Sequence, residues 1–119
     1  MPGQAVAECR PPLRFGVAYE FRNPPSSGIS DATVYAGCLE QVVVAEQLGY
    51  DVAWLAEHHF VADGYLPSWV LVAGAMLART TTLRVSTDIA VLPFHHQIRL
   101  AEDVAVLDNL SGADRRRCA

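Results

Sequence analysis

Glu57, His58 and His59 are consecutive, and they lie one residue beyond Val52-Ala53-Trp54-Leu55, whose β-branched and aromatic content suits a short buried strand. A carboxylate beside two imidazoles can hold, orient or exchange a proton near neutral pH, the equipment of general acid–base chemistry. Ionisable side chains gathered at the carboxyl end of a buried strand are where open α/β sheets and barrels build their active sites. A second cluster, Pro93-Phe94-His95-His96, follows the next strand-like run, so all 4 histidines lie just after consecutive strands. Two His-His pairs also raise metal binding. Neither has the His-Glu-x-x-His spacing that sets two ligands on one helical face, and adjacent residues rarely point at one ion, so no metal is expected.

The elements that must position these clusters can be read in order. Residues 13–19 form a first strand, with Phe15, Val17 and Tyr19 on one face. Asn23-Pro24-Pro25-Ser26-Ser27-Gly28 is a loop by every turn rule. Asp31 is the expected N-cap of a helix over 32–48, whose Val34, Cys38, Val42 and Ala45 share an apolar face and which Gly49 stops. A second strand covers 51–56, and a loop rich in turn formers runs over 57–67. Ser68 caps a second helix over 69–79, apolar nearly all round and hence covered on several sides. Thr80-Thr81-Thr82 disfavours its continuation, a third strand spans 83–91, and Pro93 ends it. A third helix over 97–110 places Leu100, Val104 and Leu107 on one stripe, with Gly112 as its stop. Trp54 and Trp69 are expected in the core. Strands and helices alternate, which predicts a parallel sheet joined by right-handed helical crossovers.

Composition bounds the function. With 119 residues, 51% of them hydrophobic and 18% charged, the chain suits one globular domain and not a disordered segment. A net charge of −4 argues against nucleic acid, and Arg115-Arg116-Arg117 reads as a solvated basic run. The amino terminus lacks the pattern of a secretory signal, and the longest apolar run, 69–78, falls short of the ~20 residues that span a bilayer, so no membrane is expected. Cys9, Cys38 and Cys118 are odd in number and scattered, which points to a reduced, cytoplasmic protein. No Gly-x-Gly-x-x-Gly or phosphate-gripping loop supports a nucleotide-binding reading.

Four stretches, in order and in register, carry a resemblance to a known family: WLAEHHF (54–60), LARTTTLRVST (77–87), VLPFHH (91–96) and RLAEDVAVLDNLSG (99–112). Over roughly 15–112 the chain resembles the amino-terminal part of the luciferase-like monooxygenases, flavin- and deazaflavin-dependent (β/α)₈ barrels related to bacterial luciferase. The resemblance implies an α/β fold made of the amino-terminal three βα units of such a barrel. It implies that His58 matches the active-site acid/base, and that Glu57 and the backbone at Asp88-Ile89 match positions lining the isoalloxazine pocket. Members often carry a non-proline cis peptide at that third-strand position. The implied cofactor is reduced flavin mononucleotide or a deazaflavin (coenzyme F420), and the implied partners are dioxygen and a small-molecule substrate.

Each residue also has a plainer reading. His58 could be a loop histidine bonded to backbone; the motif favours the proton-transfer role. His59 either orients His58 or packs under the loop, and Glu57 either contacts the cofactor or holds a neighbouring imidazole. His95 and His96 are expected at the start of the third helix, shaping the rim. Arg99 and Asp103, at i, i+4 spacing, can pair weakly. The segment layout expected is a disordered leader over 1–12, a partial barrel over 13–112 and an atypical tail over 113–119, as in a truncated chain. Exposed strand edges are then expected to drive self-association, with a catalytically inactive remnant or a deazaflavin-dependent dehydrogenase as the alternatives to a monooxygenase.

Overall fold

Three short parallel strands lie side by side in the order β1-β2-β3: β1 Gly16–Tyr19, β2 Val52–Leu55 and β3 Arg84–Thr87. This is the arrangement of a computed structural model that describes residues 13–64 and 66–112. The expected leader and tail, 1–12 and 113–119, lie outside the described residues. Helix α1 (Asp31–Gln47) links β1 to β2, α2 (Trp69–Leu77) links β2 to β3, and α3 (Gln97–Ser111) follows β3. The register is in step throughout, with Gly16, Val52 and Arg84 across one row and Tyr19, Leu55 and Thr87 across another.

Alternation along each strand divides the sheet into two faces. Val17, Tyr19, Ala53, Leu55 and Val85 point to the helical side, where they join Val42, Val72, Met76, Leu77, Leu83 and Leu107 in one core. Leu55 and Met76 are wholly buried there. The predicted apolar faces of α1 and α3 are the ones that pack, with Val42 and Leu107 innermost. Helix α2 is apolar all round as expected, yet Leu71 is 75% exposed and so one side of it is uncovered.

Four expectations change. The first strand starts at Gly16, leaving Leu13 and Phe15 on the surface, because the Asp51 carboxylate takes the Phe15 N–H (2.8 Å) just before the ladder begins. Ser30, not Asp31, is the N-cap of α1: its hydroxyl accepts the Thr33 N–H at 3.2 Å, and Asp31 becomes the first helical residue. The third strand ends at Thr87, where the Thr87 hydroxyl bonds the Ile89 carbonyl (2.7 Å) and turns the chain outward. Trp54 is not core. It belongs to the row opposite Ala53 and Leu55 and is 36% exposed on the sheet's non-helical face, whereas Trp69 is buried.

Two glycines fit their positive φ: Gly49 (+86°) and Gly112 (+72°) end α1 and α3 as the sequence predicts. Among the described residues every peptide bond is trans, that between Asp88 and Ile89 included.

Candidate active site at the carboxyl ends of β2 and β3

The chain leaves β2 at Ala56 and buries the next residue. Glu57 is 2% exposed, and its carboxylate is fully engaged. One oxygen, Oε1, accepts from His59 Nε2 and from His95 Nε2, each at 2.9 Å, while Oε2 accepts the Val91 N–H at 2.6 Å. Burial pushes the Glu57 carboxyl up, but the bonds from His59, Val91 and His95 outweigh it and hold the carboxyl below its ordinary value. It is therefore an anion at neutral pH. Its partners come from the loop after β2 and from the segment after β3, so one side chain ties the two together.

His58 keeps its backbone N–H on the Leu66 carbonyl (3.0 Å), and Leu66 in turn donates to Glu20 at 3.4 Å and is buried. The loop thus folds back on itself and onto the end of β1. Further along, the Arg22 guanidinium pairs with Asp63, and the Asn23 N–H donates to the Asp63 carbonyl at 2.5 Å. Asn23 also bonds the Asp31 carboxylate (2.7 Å), which locks the loop after β1 to the start of α1. His58 is half-buried within this frame.

His59 packs edge-on against Phe94, with ring centroids 4.6 Å apart, and His95 lies edge-on to Trp69 at 6.4 Å. Asp88 and Ile89 are both exposed at the outer end of β3, Ile89 by 54%. His95 ends a short 3-10 turn over Leu92–Phe94 and His96 is the N-cap residue of α3, the rim positions expected for them. Arg99 and Asp103 form the anticipated helical pair at 3.3 Å, both partly solvated and worth little. No group of three or more His, Cys, Asp or Glu among the described residues could hold a metal ion.

Of the sequence candidates, the structure brings Glu57 and His59 into one bonded cluster, with His58 beside them in the chain. His95 is the member that sequence reasoning left at the rim. It lies 38 residues from Glu57, and no local spacing signals a bond across that interval. The second cluster of histidines, following the next strand in a parallel sheet, was the available hint.

Phe60 carries a different signal. It is 99% exposed and sits at φ +59°, a left-handed conformation that bulky residues rarely adopt. Phe60→Asn should raise stability by about 0.5–1 kcal/mol, since Asn tolerates this conformation and no buried area is lost. Urea midpoints compare the two chains; a lower midpoint for the variant would show that Phe60 makes a stabilising contact.

The same arrangement of elements and motifs recurs in known proteins. The sequence pattern described as luciferase-like monooxygenase matches residues 13–113. The alkanal monooxygenase alpha chain of Photorhabdus laumondii subsp. laumondii is 41% identical over 99 residues, which cover 83% of this chain and 27% of that one. The crystal structure of monooxygenase RslO1 from Streptomyces bottropensis superposes with a TM-score of 0.77 at 29% identity, over 89% of this chain and 32% of that protein. The oxygenating constituent of 3,6-diketocamphane monooxygenase from Pseudomonas putida, a type II Baeyer-Villiger monooxygenase solved with FMN, superposes with a TM-score of 0.76 at 20% identity, over 89% of this chain and 28% of that protein, and so speaks for the fold alone. This chain spans about 30% of the solved relatives. With the three parallel βα units, the motif-bearing loops at their carboxyl ends and the match over all of the described residues, the chain belongs to the luciferase-like monooxygenase family.

Proposed function

We propose that this chain supplies part of the active site of a flavin-dependent monooxygenase that acts on a small organic substrate with dioxygen. The observation that carries the reading is the bonded cluster at the carboxyl ends of β2 and β3, built from the motif residues Glu57 and His59 and joined by His95. The surroundings suit a flat, partly polar ring system: Phe60, Ile89 and Phe94 expose apolar surface, and the cluster offers hydrogen-bonding groups beside it. Reduced flavin, when bound, supplies the electrons that activate dioxygen. His58 is the proton-transfer residue in this reading, on a loop whose backbone is pinned to Leu66. Asp88 and Ile89 line the flavin side of the site, and Glu57 bears on it through His59 and His95.

The test is a titration of the purified chain with flavin mononucleotide and with coenzyme F420, oxidised and reduced, beside His58→Ala. Saturable micromolar binding of the flavin, weakened in the variant, is the expected result. Preference for F420 would turn the reading to a deazaflavin-dependent dehydrogenase. No binding of either would make this chain alone catalytically inert.

Self-association belongs to the same proposal. Among the described residues neither β1 nor β3 has a partner on its outer edge, and Trp54 lies open on the sheet's non-helical face. Unpaired edges beside apolar surface recruit further chains. Sedimentation of the chain across a hundredfold range of concentration should show growth in mass; a monomer throughout would remove this part of the reading.

A further inference from the structure

The Glu57 carboxylate accepts hydrogen bonds and, being ionised, cannot donate one. Each imidazole that meets it through Nε2 must therefore carry its proton there, and in a neutral ring the other nitrogen, Nδ1, is then a bare acceptor. This holds for both His59 and His95, which share the single oxygen Oε1 at 2.9 Å. The rings come from different segments, one from the loop after β2 and one from the segment after β3. Phe94 lies against His59 and Trp69 against His95, which restricts both rings to their present planes.

We infer that Glu57 is a positioning residue, which acts on the site through His59 and His95 by fixing both as Nε2–H tautomers and so presenting two Nδ1 acceptors, one from each segment. Glu57 is too enclosed to meet a ligand itself, with its side chain fully buried and each oxygen already accepting. His95 gains a role equal to that of His59, although it lies outside the Glu-His-His motif. Each acceptor suits a ligand group that offers an N–H or O–H donor. The identity of that ligand rests on the flavin reading above; the tautomers do not.

The experiment labels the full chain with ¹⁵N-histidine and reads the ring nitrogens of His59 and His95 at pH 8. Both are expected as single Nε2–H tautomers with slowly exchanging, directly detected Nε2 protons. Either ring averaging between tautomers, or protonated at Nδ1, would overturn the inference without any variant being needed. Glu57→Gln should abolish the ordering at one or both rings while leaving His58 and His96 unchanged; an unaltered spectrum from a folded variant would equally overturn it. Flavin mononucleotide titrated into the same samples separates the two claims. Ordered tautomers with no flavin binding would sink the flavin reading alone. Where the wild-type chain binds, His95→Ala should weaken binding about tenfold, the order expected for one lost hydrogen bond.

Discussion

Glu46→Ala should cost about 2 kcal/mol of stability, although the residue lies outside the four motif stretches and is half-buried at the end of α1. Its Oε1 accepts three successive backbone N–H groups, those of Thr81 (2.7 Å), Thr82 (2.6 Å) and Leu83 (2.9 Å), and the Thr82 hydroxyl at 3.1 Å. Bonds to a charged acceptor contribute about 1.5–3 kcal/mol each in isolation. Water can replace it at the exposed Thr81 and Thr82 amides, so most of the loss comes from the part-buried amide of Leu83. The pH dependence gives an independent check. Burial pushes the Glu46 carboxyl up, but the amides of Thr82, Leu83 and Thr81 and the Thr82 hydroxyl bring it down to about 2 from an ordinary 4.5. A lowered carboxyl stabilises the fold wherever it is ionised, so the contribution is complete above about pH 4.5 and is lost as pH falls through about 2. Urea unfolding at pH 7 and at pH 3 should therefore show the gap between wild type and Glu46→Gln narrowing in acid. A gap that is constant with pH would mean the carboxylate bonds add nothing.

Leu55→Ala should cost about 3 kcal/mol, within the 2–5 kcal/mol usual for a buried leucine. Leu55 is wholly buried at the last position of the middle strand, with Tyr19 on one side and Thr87 on the other. Strands on both sides leave little room to collapse into the cavity, which sets the loss in the middle of the range rather than at its foot. The backbone beyond Leu55 suffers too, because its carbonyl accepts the Asp88 N–H at 3.0 Å and the Thr87 hydroxyl at 3.1 Å. The variant should then lose protection from hydrogen exchange at Asp88 as well as in β2. Thermal melts and exchange rates together check this. A loss under 1 kcal/mol would show that the core around β2 is loosely packed.

The alternation of elements and the faces of α1 and α3 were legible because apolar periodicity reports burial directly. Val42 and Leu107 lie where the 3.6-residue period puts them. The strand ends were not legible. Phe15 and Val91 continue their strands by residue type, yet the Asp51 carboxylate and the Thr87 hydroxyl end the ladders through contacts that composition does not show. Trp54 misled for a related reason. A strand buried on one face and one buried on both can share the same residues, and only the neighbouring layers decide between them. The site was half-visible: Glu57 and the histidines were marked by their position after β2. Their division of labour was not, since it depends on His95 and Val91 meeting Glu57 from the far side of β3.

The carboxylates of Glu46 and Glu57 have a joint effect on β3. Glu46 holds the amides that lead into the strand, and Glu57 holds the amide of Val91 and the ring of His95 just beyond it. The strand itself spans only Arg84–Thr87 and pairs with β2 along one edge, so its own ladder resists sliding weakly. A slip by one residue would exchange the faces of Val85 and Ser86 and turn a hydroxyl into the core. It would also have to pull amides off both carboxylates at once. The alignment of the segment that carries His95 is thus set as much by two side chains at the ends of β3 as by the sheet between them.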